Sequence, residues 1–320
     1  MTIPEISVVI PVYNEEESLP FMFERIFRVL DALENPYEII FINDGSRDAT
    51  LPLLLQAWKQ RPDVTRVVDF NGNFGQHMAI MAGFEAAKGN IVVTLDADLQ
   101  NPPEEIPRII RCVRDGHDVV GTVRRQRRDT FFRMAASRVV NMLTNKITGL
   151  SLHDYGCMLR AYRRDIVDII NDSAETATFI PALAQKFATN PAEIDVDHEE
   201  RKQGRSKYSL LRLFRLNFDL MTGFSMAPLQ AVTMIGILIS AMSFIFAAYM
   251  FIRRLVLGPE AEGVFTLFAV LFLLMGVTVS CIGIEGEYVG RIYQEVRRRP
   301  RYVVRKIYGS DDEISGETSQ

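Results

Sequence analysis

Apolar residues fall into two kinds of run along this chain. In the first 125 residues, short runs rich in Val, Ile and Phe predict strands at 6–12, 38–42, 65–70, 90–95 and 118–122. Between them, apolar positions recur at three- and four-residue spacing and predict helices at 18–33, 49–61, 75–87 and 103–114. Strands that alternate with helices of this length predict an α/β fold, a mostly parallel sheet covered on both faces. The later runs are longer. Residues 229–252 and 264–284 carry no charge, and at ~1.5 Å per residue each is long enough to cross a ~30 Å hydrocarbon core. The link between them contains Gly258 and Pro259, a turn signal. A two-helix transmembrane hairpin is therefore expected. Before it, Leu210, Phe214, Phe218 and Met221 interleave with Arg212, Arg215 and Asp219, a pattern that predicts an interfacial helix in the headgroup layer.

Charge gives this hairpin an orientation. The net charge of -4 hides a split: residues 1–200 carry 21 Lys+Arg against 30 Asp+Glu, and residues 201–320 carry 15 against 10. Arg201, Lys202, Arg205, Lys207, Arg212 and Arg215 precede the hairpin, and Arg291, Arg297, Arg298, Arg299, Arg301, Arg305 and Lys306 follow it. The link holds only Arg253 and Arg254, offset by Glu260 and Glu262. Lys and Arg collect on the cytoplasmic side, so both termini are expected there with the link outside. Basic residues beside apolar runs point to a membrane surface and not to nucleic acid. The organisation expected is a cytoplasmic catalytic domain at 1–208, an interfacial helix at 209–228, the hairpin at 229–284, and a basic juxtamembrane segment with a polar tail at 285–320. With a strand predicted from residue 6, no signal peptide is expected. Cys112, Cys157 and Cys281 lie too far apart for a zinc site or a disulfide framework.

In a parallel α/β sheet, ligands sit beyond the carboxyl ends of the strands, and polar clusters follow the predicted strands there. They are PVYNE at 11–15, NDGS at 43–46 and DADLQ at 96–100. Asp96 and Asp98 are two apart, so on an extended segment their carboxylates share a side. Like charges held together call for a cation, and Mg²⁺ or Mn²⁺ shared with a diphosphate fits. Asp44, before Gly45 and Ser46, is placed either to accept from a base or ribose or to cap the helix near residues 47–49. His77 and His153 have no third ligand at zinc spacing, and Trp58 is expected in the core.

These residues resemble the family 2 glycosyltransferases, which have the GT-A nucleotide-sugar-binding fold, and within them the polyisoprenyl-phosphate glycosyltransferases. The resemblance rests on VIPVYNE (9–15), NDGS (43–46), NFG (73–75), LDADLQNPP (95–103) and GRSKY (204–208). GQHMAIMAGF (75–84), DVVGTVR (118–124) and DYGCMLRAY (154–162) narrow it to the branch that moves 4-deoxy-4-formamido-L-arabinose for lipid A modification and polymyxin resistance. The resemblance implies a metal-dependent, inverting transfer from a UDP-sugar to undecaprenyl phosphate at the bacterial inner membrane, in contact with membrane lipids. It implies that Pro11, Tyr13, Glu15 and Asp44 hold the uridine and that Asp96, Asp98 and Gln100 hold Mg²⁺ or Mn²⁺ with the diphosphate. Arg124, Arg133 and Ser137 would grip the acceptor phosphate, and Arg201, Arg205 and Lys207 would close over the donor. Asp154 would serve as base or orient the acceptor, and a homo-oligomer, a tetramer by analogy, is expected. Gly72 stands where the family usually has Arg. The alternatives are a bactoprenol glucosyltransferase using UDP-glucose and an inactive membrane scaffold.

Overall fold

The computed structural model describes residues 3–124, 157–173, 179–196, 227–257, 264–296 and 300–309. The chain divides into two compact units, one of residues 1–141, 150–207 and 299–320, the other of residues 142–149 and 208–298.

The first unit is built on one eight-stranded sheet. Its strands are β1 (Ile6–Val12), β2 (Tyr37–Asn43), β3 (Thr65–Phe70), β4 (Ile91–Thr94), β5 (Val119–Arg124), β6 (Arg160–Arg163), β7 (Pro191–Val196) and β8 (Val304–Tyr308). They lie in the order β7-β5-β6-β4-β1-β2-β3-β8. Strands β4, β1, β2 and β3 are mutually parallel, β5 and β7 are parallel, and β6 and β8 run antiparallel to their neighbours. The predicted mostly parallel α/β sheet is thus observed. β1 is its centre, with Ile6, Val8, Val9 and Ile10 wholly buried, as a strand covered on both faces requires.

Four helices follow the predicted positions, α1 (Leu19–Asp31), α2 (Thr50–Gln60), α3 (Gln76–Ala86) and α4 (Ile106–Arg114); α5 (Arg164–Asp172) and α6 (Ile180–Phe187) have no predicted counterpart. In α1, Leu19, Met22, Ile26 and Leu30 form one buried stripe, each contributing roughly 1.5–3 kcal/mol by leaving water. α3 differs, with Ala79 through Phe84 all buried, because it lies directly on β1. A Cβ on Gly83 would sit 2.1 Å from Val9 Cγ1, so only glycine permits that approach. Trp58 is partly buried against the core and packs near Tyr308, with ring centroids 5.7 Å apart.

Three strands lack a sequence signature. β6 is four residues long with Arg at both ends, β7 opens on Pro191, and β8 carries Arg305 and Lys306. β7 and β8 are the sheet's two edges, where proline and charge discourage pairing with other chains. Part of the stretch expected as a juxtamembrane segment therefore completes the sheet.

In the second unit the described elements are two long helices, α7 (Ala227–Leu257) and α8 (Val264–Val296), which pack on each other. Their bounds enclose both predicted spans. Among the described residues, no helix is long and apolar enough to cross a membrane. Exposed along α7 are Met234, Ile237, Met242, Phe244 and Ile245. The predicted interfacial helix lies outside the described residues up to residue 226.

Candidate active site

The chain leaves β1 toward β2 on one side, and β4 returns on the other. This reversal of strand order opens a crevice at the strands' carboxyl ends. Val12 stands beside Asn43, and Val9 beside Thr94. The segments after β1, β2 and β4 therefore converge, and with them Pro11, Tyr13, Glu15, Asp44, Asp96, Asp98 and Gln100.

Hydrogen bonds join these turns into a belt. The Asn14 N–H donates to Ser46 Oγ at 3.0 Å, and the Arg47 N–H to Asn14 Oδ1 at 2.8 Å. Asn14 has φ 53°, a left-handed conformation that asparagine tolerates. The Glu15 N–H donates to Thr50 Oγ1 at 2.9 Å, while the Glu15 carboxylate takes the Ser18 hydroxyl at 2.7 Å. Tyr13 is 44% exposed, its ring free to meet a ligand.

Asp44 is buried, and its two carboxylate oxygens accept the N–H groups of Phe74 at 2.7 Å and Gly75 at 2.9 Å. Burial pushes its carboxyl above the usual value, and the two N–H groups oppose that shift. The helix it serves is α3, which Gly75 opens, and not the one after residues 47–49, where Asp48 Oδ1 takes the Thr50 N–H instead. Each Asp44 oxygen keeps a second lone pair for a ligand. Gly45, at φ 67°, lets the two turns touch: a Cβ there would meet Gly72 C at 2.4 Å and Asn73 N at 2.8 Å. A Cβ on Gly72 itself meets nothing within 4 Å, so this position does not require glycine.

At β4, Asp96 Oδ1 accepts from Gln76 Nε2 at 2.6 Å, which links α3 to the DxD turn. Asp98 Oδ1 accepts the Gln100 N–H at 3.1 Å, and Leu99 takes φ 61° to close that turn. Behind it, buried Asn101 accepts from Cys157 Sγ at 3.2 Å, and Thr122 Oγ1 lies 2.8 Å from the same sulfur. Asp96, Asp98 and Gln100 are hard oxygen donors of the kind Mg²⁺ and Mn²⁺ prefer. Among the described residues, no group of three or more His, Cys, Asp or Glu could hold a metal alone. This donor set fits such an ion only as part of its coordination.

Two residues were missed by the sequence reading. Gln76 lay inside a quoted motif without a role, and only the fold brings it to Asp96, 20 positions away. Arg160 is 1% exposed in β6, paired in register with Thr94, and its Nε donates to Cys157 O at 3.0 Å. His77 offers Nδ1 buried without a partner and its ring edge to Phe179 at 5.2 Å. Burial lowers its pKa to about 4, so it is neutral at pH 7. Arg124 ends β5 beside Val196, and its side chain lies outside the described residues. So do Arg133, Ser137, Asp154, Arg201, Arg205 and Lys207.

Comparison with known proteins agrees with this geometry. The glycosyl transferase family 2 pattern matches residues 7–171. The chain is 50% identical over 309 residues to an undecaprenyl-phosphate 4-deoxy-4-formamido-L-arabinose transferase of Serratia proteamaculans (strain 568), covering 96% of this chain and 95% of that protein. It is also 50% identical to the protein of that name in Yersinia enterocolitica serotype O:8 / biotype 1B, covering 97% and 95%. Among solved structures, the crystal structure of a mycobacterial protein matches with TM-score 0.50 and 18% identity over 69% of this chain and 73% of that one, a likeness of fold alone. With its family pattern spanning the strands and turns that build the crevice, and relatives half identical along nearly its whole length, this chain belongs to glycosyl transferase family 2.

Proposed function

We propose that this protein transfers 4-deoxy-4-formamido-L-arabinose from a UDP-linked donor to undecaprenyl phosphate, with inversion. The observation that carries this reading is a GT-A-like crevice, formed by the turns after β1, β2 and β4, in a chain half identical over 96% of its length to transferases of that name. Pro11, Tyr13, Glu15 and the Asp44 turn receive the uridine. Asp96, Asp98 and Gln100 would hold Mg²⁺ or Mn²⁺, which when bound neutralises charge on the diphosphate. A phosphate oxygen of the acceptor attacks the anomeric carbon, the bond to the UDP oxygen breaks, and UDP leaves with the electron pair. The acceptor phosphate is already anionic, with a second pKa of about 6, so positioning carries much of the rate. Arg124, Arg133 and Ser137 are assigned to that phosphate; Arg133 and Ser137, four apart, would share a face on a helix. Asp154 is assigned to acceptor orientation, and Arg201, Arg205 and Lys207 to closure over the donor.

We place α7 and α8 across the cytoplasmic membrane as a hairpin. The sequence is uncharged over residues 229–252 and 264–284. The exposed Met, Ile and Phe side chains of α7 suit lipid better than water. Labelling of single cysteines in spheroplasts tests this: reagent that cannot cross the membrane should reach residue 260 and not residue 310.

The activity test is incubation of purified protein with undecaprenyl phosphate, Mg²⁺ or Mn²⁺, and either UDP-4-deoxy-4-formamido-L-arabinose or UDP-glucose, followed by mass spectrometry of the lipid. Formamido-arabinosyl lipid alone supports the proposal. Glucosyl lipid alone replaces it with a bactoprenol glucosyltransferase, and product unaffected by EDTA removes the metal from the mechanism. No product with either donor would favour the scaffold reading.

A further inference from the structure

The C-terminal strand and the two residues before it reach the turns after β1 and β2 by two routes. Asp69, in β3, is 1% exposed, and a carboxylate this buried needs partners. Its Oδ1 accepts from Asn43 Nδ2 at 2.7 Å, and its Oδ2 faces Arg305 Nη1 in β8 at 3.3 Å. Asn43 Oδ1 in turn accepts the Ser46 N–H at 3.2 Å, and Ser46 Oγ takes the Asn14 N–H at 3.0 Å. Each link uses a different atom, so the relay runs unbroken from Arg305 to the turns after β2 and β1.

The second route is aromatic. The Tyr302 ring stacks on Phe70, with centroids 4.9 Å apart and planes 13° apart. Phe70 meets Phe74 edge to face at 5.7 Å, and the Phe74 N–H is a donor to Asp44. The Tyr302 hydroxyl donates to Glu85, and the Asn71 N–H donates to Val303 O at 3.1 Å. Both routes start within four residues of one another and end on the Asn43–Asp44 turn.

We infer that β8 and the segment leading into it are part of the donor site: Arg305, through Asp69 and Asn43, and Tyr302, through Phe70 and Phe74, are positioning residues that hold the turn at 43–46 for the nucleotide. This rests on assigning that turn to the donor, as proposed above. A strand that only covered the sheet edge would need neither the ion pair to a buried carboxylate nor the stack beneath Phe74.

The Arg305 side chain is 58% exposed while that of Asp69 is 2% exposed, so loss of Arg305 leaves a buried carboxylate with one partner fewer and Tm has to be read beside binding. Full-length protein in detergent is titrated with UDP and Mg²⁺, and steady-state KM and kcat for the UDP-sugar are measured alongside Tm. Arg305→Ala and Tyr302→Ala should each weaken UDP binding and raise donor KM by about 3- to 10-fold, with kcat within about two-fold. Arg305→Lys should restore most of the loss. Lys306→Ala, on the same strand but contacting the Tyr308 ring, should bind UDP like wild type. Should Arg305→Ala not fold, Asp69→Asn keeps the volume and the side-chain oxygen while removing the ion pair, and the same weakening is expected. Wild-type affinity in these variants overturns the inference, as does a loss matched by Lys306→Ala or one that Arg305→Lys leaves uncorrected. Wild-type protein that fails to bind UDP refutes the donor assignment itself, an outcome visible without any variant.

Discussion

Three glycines around the Asp44 turn separate backbone strain from steric overlap. Gly72 has neither: no positive φ and nothing within 4 Å of a built Cβ. Gly75 has strain alone, with φ 96° and ψ 156° but open space. Gly45 has both, φ 67° and three backbone atoms of Gly72 and Asn73 within 2.8 Å of its would-be Cβ. Gly72→Ala should be neutral or stabilise by about 0.4–1 kcal/mol, through reduced freedom of the unfolded chain. Gly75→Ala should cost about 1–3 kcal/mol, since its conformation is almost confined to glycine. Gly45→Ala adds overlap with atoms that cannot rotate away, so about 1–2 kcal/mol of strain combines with about 1–3 kcal/mol of overpacking. The overlap would also push the turn at 72–75 off Asp44, breaking its bonds to Phe74 and Gly75. Thermal or denaturant unfolding in detergent, with UDP titration on the same samples, reads both effects. The reasoning predicts the stability order Gly72→Ala, Gly75→Ala, Gly45→Ala, with the largest loss of UDP affinity in the last. A Gly45→Ala protein as stable as the Gly75→Ala one, binding UDP like wild type, would refute it.

Other expectations follow from single contacts. Asp96→Ala should abolish turnover while leaving the sheet folded, checked by product formation and circular dichroism; turnover near the wild-type rate would remove Asp96 from the chemistry. Gln76→Ala should change the concentration of Mg²⁺ needed for half-maximal rate more than Tm, because its amide orients Asp96 from 2.6 Å; an unchanged metal profile would make that bond incidental. For His77, the folded pKa of about 4 lies below the ordinary 6.5, so the unfolded chain binds the extra proton between those values. Stability from this group is present above pH 6.5 and lost as pH falls toward 4, by at most about 3 kcal/mol because part of the ring meets solvent. Subtracting the His77→Phe unfolding curve from wild type at pH 7 and pH 5 should expose that loss. Gly83→Ala should destabilise by about 1–3 kcal/mol through overlap with Val9, and Val9→Ala in the same chain should recover part of it in a double-mutant cycle.

How much of this was legible beforehand depended on how local the signal was. Strands β1 to β5 and helices α1 to α4 could be read within a few residues, because a strand buried on both faces must be continuously apolar and a covering helix must repeat its apolar face. Helices α7 and α8 contain the two uncharged runs, but α8 continues past its run through Glu285, Glu287 and Arg291 to Val296. The turns carrying Tyr13, Asp44 and Asp96 were legible because in a parallel sheet every strand's carboxyl end faces the same edge. β6, β7 and β8 were not legible: they are short, charged or opened by proline, and pair only because a neighbouring edge is available to them. The sequence by itself determined the sheet's class, its family and the polar turns at the carboxyl ends of β1, β2 and β4. The tertiary structure alone decided that Asp44 serves α3, that Gln76 meets Asp96, and that Arg305 answers the buried charge of Asp69 from 236 positions away. Burial is what forces these pairings, since a carboxylate removed from water must find its donors wherever the fold delivers them, and no local pattern in the chain encodes that distance.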